Sequence, residues 1–318
     1  STSSSLWVGW VSVELQSAGG TLRSGGSFLV HARVWVSAAL PLVGPVGGGT
    51  RVSVLGARLL ESASARCRFD EGVATAVGRV VSAGVVECAS AASVGAGARR
   101  VEVSLNGVQF SSAGVEFTYV PSASVSSVWP SRGAAEGGAP LTVRGGGFSS
   151  ASASLGYLQC GVGGGVVRAR HSSGSSVVCN ATAGAAWVSA GSSSSSVCAV
   201  EVGVNGRDFT SCGVEYEVVR VVVGEASPWL GPELGGTVVT LSGRGVAAVE
   251  LSCRFGAHAS ARASAHGSSE VRCVSPSSSS SSLGWVSVEL VSGGATLRSG
   301  GSFLVHARVW VSAALPLV

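Results

Sequence analysis

Eight cysteines, five histidines, two aspartates and an abundance of serine are the residues of this chain with chemistry to offer. Zinc would require C-x2-C or mixed Cys/His clusters, and Cys67, Cys88, Cys160, Cys179, Cys198, Cys212, Cys253 and Cys273 stand much further apart than that. An even number of well-spaced cysteines points instead to disulfides and an oxidising compartment. Calcium bridging needs clustered carboxylates, whereas Asp70 and Asp208 are the only aspartates and the glutamates do not cluster. His31 and His306 are repeat copies of one position, and His171 stands alone. His258 and His266 flank a turn-like stretch with no third ligand in view, so they read as loop histidines. No G-x-S-x-G motif or ordered Ser, His and acid set occurs, which argues against an enzyme. Paired glycines recur, but without a single lysine a phosphate-cradling Walker loop is impossible, and they read as tight turns. No cofactor is expected.

Composition narrows the classes further. The net charge is +4 and only 12% of residues are charged. The arginines are scattered and interrupted by glutamate, so there is no basic stripe for nucleic acid. The apolar stretch Val34–Val46 is broken by Ser37, Pro41, Gly44 and Pro45, and no run reaches the roughly 18 apolar residues of a membrane span. No signal peptide is visible.

The elements that must hold these residues are strands. Val101–Leu105, Val200–Val204 and Val286–Leu290 alternate apolar with polar or small residues, the period of a half-buried strand. Asn106-Gly107 and Asn205-Gly206 follow two of them and predict tight hairpins, with return strands at Val115–Tyr119 and Val214–Val218. No segment shows a 3.6-residue pattern.

Repetition organises the strands at two levels. Residues 10–43 and 285–318 are identical at 31 of 34 positions, differing only at Gln16/Val291, Ala18/Gly293 and Gly20/Ala295, with a constant offset of 275. Such a return is the mark of a tandem array, and the chain reads as a window cut from a longer repetitive protein. Within the block, module openings recur at Pro41, Pro130, Pro228 and Pro316, in steps of 89, 98 and 88 residues. The first three openings each have a proline, a Gly-Gly pair and then a strand. The cysteines fall in the same register: Cys67, Cys160 and Cys253 are followed 21, 19 and 20 residues later by Cys88, Cys179 and Cys273. Seven or so short strands in about 90 residues fit a β-sandwich.

The order Pro, Gly-Gly-Thr-x-Val-x-Val, Cys-x-Phe-Gly, Val-x-Cys, Val-x-Val-x-Val-Asn-Gly and a closing Phe-x-Tyr resembles the IPT/TIG domain, an immunoglobulin-like sandwich. The resemblance implies an all-β chain of tandem sandwiches and an extracellular or cell-surface setting, but no single function. Pro140, Gly293-Gly294 and the closing Phe303–Ala307 depart from the pattern. The expected layout is a partial module at 1–33, complete modules at 34–120, 121–219 and 220–309, and an opening strand at 310–318.

Small sandwiches profit from staples. Cys67–Cys88, Cys160–Cys179 and Cys253–Cys273 are the expected pairs. Each closes a loop of about 20 residues, worth roughly 3 kcal/mol. Cys198 and Cys212 lie symmetrically about Asn205 and are paired on that ground, although four cysteines in one module allow three connectivities. Asn180-Ala181-Thr182 is an N-glycosylation acceptor whose Asn180 should point outward next to an inward Cys179. The run Ser277, Ser278, Ser279, Ser280 to Ser282 reads as a linker or an O-glycosylated loop. Trp35 and Trp310 share one repeat position at a module junction, and Trp10 and Trp285 share another; packing in the core or junction is the expected role. The functional expectation is a structural array (filament, fibre or coat) whose partners are further copies of itself and covalent glycans. An adhesion or receptor ectodomain is the alternative. Three sandwiches end to end, each about 30–40 Å long, would give an axial repeat of about 90–120 Å.

Overall fold

The computed structural model describes residues 9–17, 20–69, 75–112, 114–182, 195–257, 261–277 and 283–309. Two compact units are present, Ser1–Pro121 and Ser122–Val318. The first contains a two-stranded hairpin, Gly9–Ser17 with Gly20–Val30, followed by one sandwich; the second contains two sandwiches.

Each sandwich is built by the same physical sequence of events. The opening strand carries a register shift that sets its buried residues three apart: Val36 and Ala39 in the first sandwich, Val125 and Val128 in the second. A cis X-Pro bond follows at Leu40-Pro41, Trp129-Pro130 and Ser227-Pro228. Beyond it a short segment leaves the opening strand and pairs in parallel with the closing strand: Val43–Pro45 with Val115–Val120, Arg132–Ala134 with Glu215–Val219, Leu230–Pro232 with Ala295–His306. One glycine in each short segment lets an aromatic ring lie against the backbone. A Cβ at Gly44 would sit 2.7 Å from the Phe117 ring, and one at Gly231 would sit 2.7 Å from the Phe303 ring. The Gly-Gly turn then leads to the next long strand, Arg51–Ala57, Pro140–Gly146 or Val238–Arg244. Pro140 is tolerated because it takes the first position of its strand.

The two later sandwiches each have a four-stranded and a five-stranded sheet. The first sandwich forms one continuous eight-stranded sheet, because Thr75–Ser82 runs unbroken and pairs with both Arg66–Arg68 and Val85–Ala89. The corresponding chain is divided at Ala169 and at Ala263 in the others. The cores are valine-rich with aromatic centres. Phe69, Phe117 and Tyr119 form edge-to-face contacts at 5.3 and 5.0 Å, and Phe255 and Phe303 do so at 5.5 Å.

Two expectations about local structure are corrected. The Asn-Gly pairs do not form two-residue hairpins. Val101 pairs with Val115 and Cys198 with Tyr216, which leaves long connections in between. Asn106 Oδ1 accepts the amides of Val108 and Gln109, and Asn205 Oδ1 accepts those of Arg207 and Asp208. The side chain thus closes an Asx turn inside a longer loop. By contrast Ser292 pairs with Ala295, so Gly293-Gly294, at φ 55° and 89°, is the two-residue turn. The second correction is a one-turn helix, Ser150–Ser154, in a chain that shows no helical period. Ser149 caps it by accepting the Ser152 amide, a local signal too short for periodicity to register.

Candidate functional site

The cysteines show what the sandwiches use and what they leave over. Cys67–Cys88, Cys160–Cys179 and Cys253–Cys273 are bonded, with Cα–Cα distances of 6.2, 6.3 and 6.1 Å, and all six are buried. In the second and third sandwiches each bond joins one sheet to the other.

Cys198 and Cys212 are not bonded to each other, contrary to the expected pairing. The expectation placed the hairpin centre at Asn205. The actual register sets Cys198 opposite Tyr216, and Cys212 lies in the irregular stretch between the Ala199–Glu215 and Gly203–Phe209 pairs. Cys198 Sγ lies 3.5 Å from the Tyr216 carbonyl and donates to it, while Cys212 Sγ accepts the Val125 amide at 3.3 Å. Burial pushes the Cys198 thiol pKa up.

Tyr216 is the one aromatic centre with a polar atom out of place. Phe117 and Phe303 hold the same seat in the other sandwiches. The Tyr216 hydroxyl is buried and has no hydrogen-bond partner among the described residues. Burial, with a smaller contribution from Cys198, pushes its pKa up to about 12. Tyr119 is different: its hydroxyl donates to the Ala91 carbonyl at 2.7 Å.

A cross-strand ion pair escaped the sequence reading. Arg68 contacts Glu102 across paired strands through its Nε at 3.0 Å, and Arg254 contacts Glu289 in the same way at 2.9 Å. The signal was present as the Cys-Arg dipeptide and the Val-Glu-Val or Val-Glu-Leu strand. In the second sandwich Gly161 stands opposite Glu201, the Phe209 ring covers the glycine, and Glu201 accepts from Thr210 instead.

The remaining expected sites are placed as follows. Asn180 is exposed at the end of Ser176–Asn180, beside buried Cys179. Thr182 of the same acceptor motif donates to the Val162 carbonyl at 3.1 Å. Ser277 is exposed; Ser278, Ser279 and Ser280 lie outside the described residues, as do Trp310, Asp70 and His258. Trp35 does not pack into a core: strand alternation turns Val34 and Val36 inward and leaves Trp35 exposed. Trp10 and Trp285 are also largely exposed. Trp285 stacks on Trp229 with ring centres 5.7 Å apart and planes 17° apart.

No histidine is built into a reaction centre among the described residues. His31 Nδ1 lies 2.9 Å from the Ala32 carbonyl, His306 Nδ1 2.8 Å from that of Ala307, and His171 Nε2 3.1 Å from that of Phe148. No group of three or more potential metal ligands occurs among the described residues, and none of their helices is long and apolar enough to cross a membrane.

Comparison with known proteins gives the same architecture. The family model for the IPT/TIG domain matches residues 35–119 and 123–218, more than half of the chain. No curated protein sequence matches it. Among solved structures it is similar to the plexin A4 extracellular region, with 16% identity, a TM-score of 0.47 and 82% of this chain covered. A second plexin A4 structure gives 15% identity, a TM-score of 0.40 and 91% covered. The chain spans 23% and 35% of the length of those plexin chains. The adhesin FdeC of Escherichia coli gives 16% identity and a TM-score of 0.25, covering 86% of this chain and 96% of that one.

Proposed function

The chain belongs to the IPT/TIG domain family, and from that premise we propose that it is a section of an extracellular array of sandwiches that builds a surface filament, fibre or coat. The observation that carries this reading is the return of residues 10–43 as 285–318 with three changes. A ligand site needs a surface only once, whereas repeating geometry needs repeating interfaces. Three buried disulfides support the extracellular setting. The reading is non-catalytic, in keeping with histidines tied to backbone carbonyls and six cysteines tied to each other.

Negative-stain images of native material test the proposal. Filaments with an axial repeat of about 90–120 Å are the expected result; compact particles without a period would overturn it. Asn180 is expected to carry an N-glycan on native protein. Unmodified peptides spanning it in mass spectra would remove the glycan and weaken the extracellular assignment.

An adhesion or receptor ectodomain is the second reading, favoured by the exposed Trp229–Trp285 stack. An exposed aromatic pair is a common anchor for a partner. Loss of cell or glycan binding on Trp285→Ala, with the fold intact, would put that reading ahead.

A further inference from the structure

The three positions that distinguish the two copies of the repeat fall within five residues, at the tip of the hairpin. In the third sandwich that tip is where the chain meets the second sandwich. A Cβ built on Gly293 would lie 2.6 Å from the Ala139 Cβ and 2.7 Å from its backbone nitrogen. Reciprocally, a Cβ on Gly138 would lie 2.9 Å from the Ala295 Cβ. Each glycine thus receives the other side's alanine. A Cβ on Gly236, in the same turn of the third sandwich, would meet nothing within 4 Å among the described residues. Ala134 of the second sandwich joins the apolar core of the third. A cleft of about 390 Å³ beside the contact is lined from both sides, by Trp129, Arg132 and Ala139 and by Ala248, Glu250 and Gly293. Val291 lines a further cleft with Val249 and Leu251.

The first copy carries Ala18 for Gly293, Gly20 for Ala295 and Gln16 for Val291. Alanine in place of Gly293 is excluded from this seat twice. Its methyl would overlap Ala139, and φ of 55° is strained for any residue with a Cβ. The order of small and smaller residues at the tip is reversed between copies, while the strands behind it are unchanged.

We infer that the hairpin tip is a key that sets which sandwich a module docks against. Gly293 and Ala295 fit the Gly138-Ala139 turn, and Gln16, Ala18 and Gly20 re-cut the same hairpin for a different neighbour. The inference holds whether the array builds a fibre or a ligand-binding ectodomain.

The test uses the whole chain and measures, by residual dipolar couplings, whether the second and third sandwiches share one alignment. Gly293→Ala should separate them, with the alignment of the two differing at least twofold in magnitude. Gly294→Ala has the same backbone strain, at φ 89°, but its Cβ meets open space, so it should leave the shared alignment intact. Adding Ala139→Gly to Gly293→Ala should restore it. Gly138→Ala attacks the contact from the second sandwich, outside the hairpin, and should also separate the pair; Ala295→Gly should rescue it. The inference is overturned if the parent chain already shows two alignments. It is overturned equally if Gly293→Ala and Gly294→Ala behave alike, or if neither rescue restores the shared alignment.

Discussion

Residues 10–30 and 285–305 differ at three positions, and among the described residues only the second hairpin is paired with further strands of a sandwich. Phe303 is 1% exposed and Phe28 is 59% exposed; Val288 is fully buried and Val13 is 45% exposed. The strand pairing is the same over the open end and next to the turn, with Trp10 opposite Leu29 and Trp285 opposite Leu304, and differs by one residue in between, where Glu14 faces Arg23 and Glu289 faces Ser299. What differs is the cover. Ser252–Phe255 pairs along one side of the third-sandwich hairpin, Leu230–Pro232 pairs along the other, and the opposite sheet closes over Phe303. Hydrogen-bonded pairing is therefore encoded locally, whereas burial is supplied by the elements that precede the hairpin in its module. An antiparallel hairpin alone has little to hold it, and most of its stability comes from the third layer of contacts.

The largest expected effect tests that difference directly. Phe303→Ala should destabilise the third sandwich by about 3–5 kcal/mol, the range for emptying a buried phenylalanine seat. Phe28→Ala, the same substitution in the same local sequence, should change stability by less than about 0.5 kcal/mol. Chemical denaturation of the two variants, followed by the fluorescence of the tryptophans, checks both. Equal effects would mean that the two hairpins share one environment.

Removing the staple should act next. Cys253 sits opposite Leu290 on the hairpin and is bonded to Cys273 in the facing sheet, so it ties the cover to the hairpin. The double variant Cys253→Ala/Cys273→Ala should lose about 3 kcal/mol. Hydrogen exchange should then speed up at Val288–Val291 and stay unchanged at Val11–Glu14. An unchanged Val288–Val291 would show that sheet pairing, and not the bond, holds the cover in place.

The fold was legible in the sequence because its signals are short-range. Period-two strands, proline and Gly-Gly openings and cysteines in step need only a few residues each, and three registers agree. The Cys198–Cys212 pairing failed where one quantity, the hairpin register, was taken from the Asn-Gly pair. Register depends on how far the Asx turn at Asn205 extends the loop, and the dipeptide alone does not carry that information. For Trp35 the repeat position left core and junction packing open, and Val34 and Val36, which take the inward face, close the core to it. The Arg68–Glu102 and Arg254–Glu289 pairs needed two strands 34 and 35 residues apart to be set in register, which only the fold provides. The glycine–alanine junction between Gly293 and Ala139 was visible as three substitutions, but without the contact it had no meaning.

The smallest effect extends the comparison from copies of a hairpin to copies of a seat. Tyr216 occupies the position of Phe117 and Phe303 and adds one oxygen that finds no partner among the described residues. A buried hydroxyl without a hydrogen bond is destabilising, so Tyr216→Phe should stabilise the second sandwich by about 1 kcal/mol. The pH dependence gives an independent check. With its pKa raised from 10.0 to about 12 on folding, the phenol is neutral in both states below pH 10 and contributes no slope there. Between pH 10 and pH 12 the unfolded chain gives up this proton while the folded chain keeps it, so stability falls as pH rises; above pH 12 both lose it and the fall ends. Thermal melts of the wild-type second sandwich should therefore decline across that window, and those of Tyr216→Phe should decline less. The mirror substitution Phe303→Tyr would place the same oxygen against Gly231 in the third sandwich and should cost about what Tyr216→Phe gains. A stabilising Phe303→Tyr, or an alkaline decline that survives Tyr216→Phe unchanged, would show that the seats are not equivalent and that the hydroxyl of Tyr216 is satisfied.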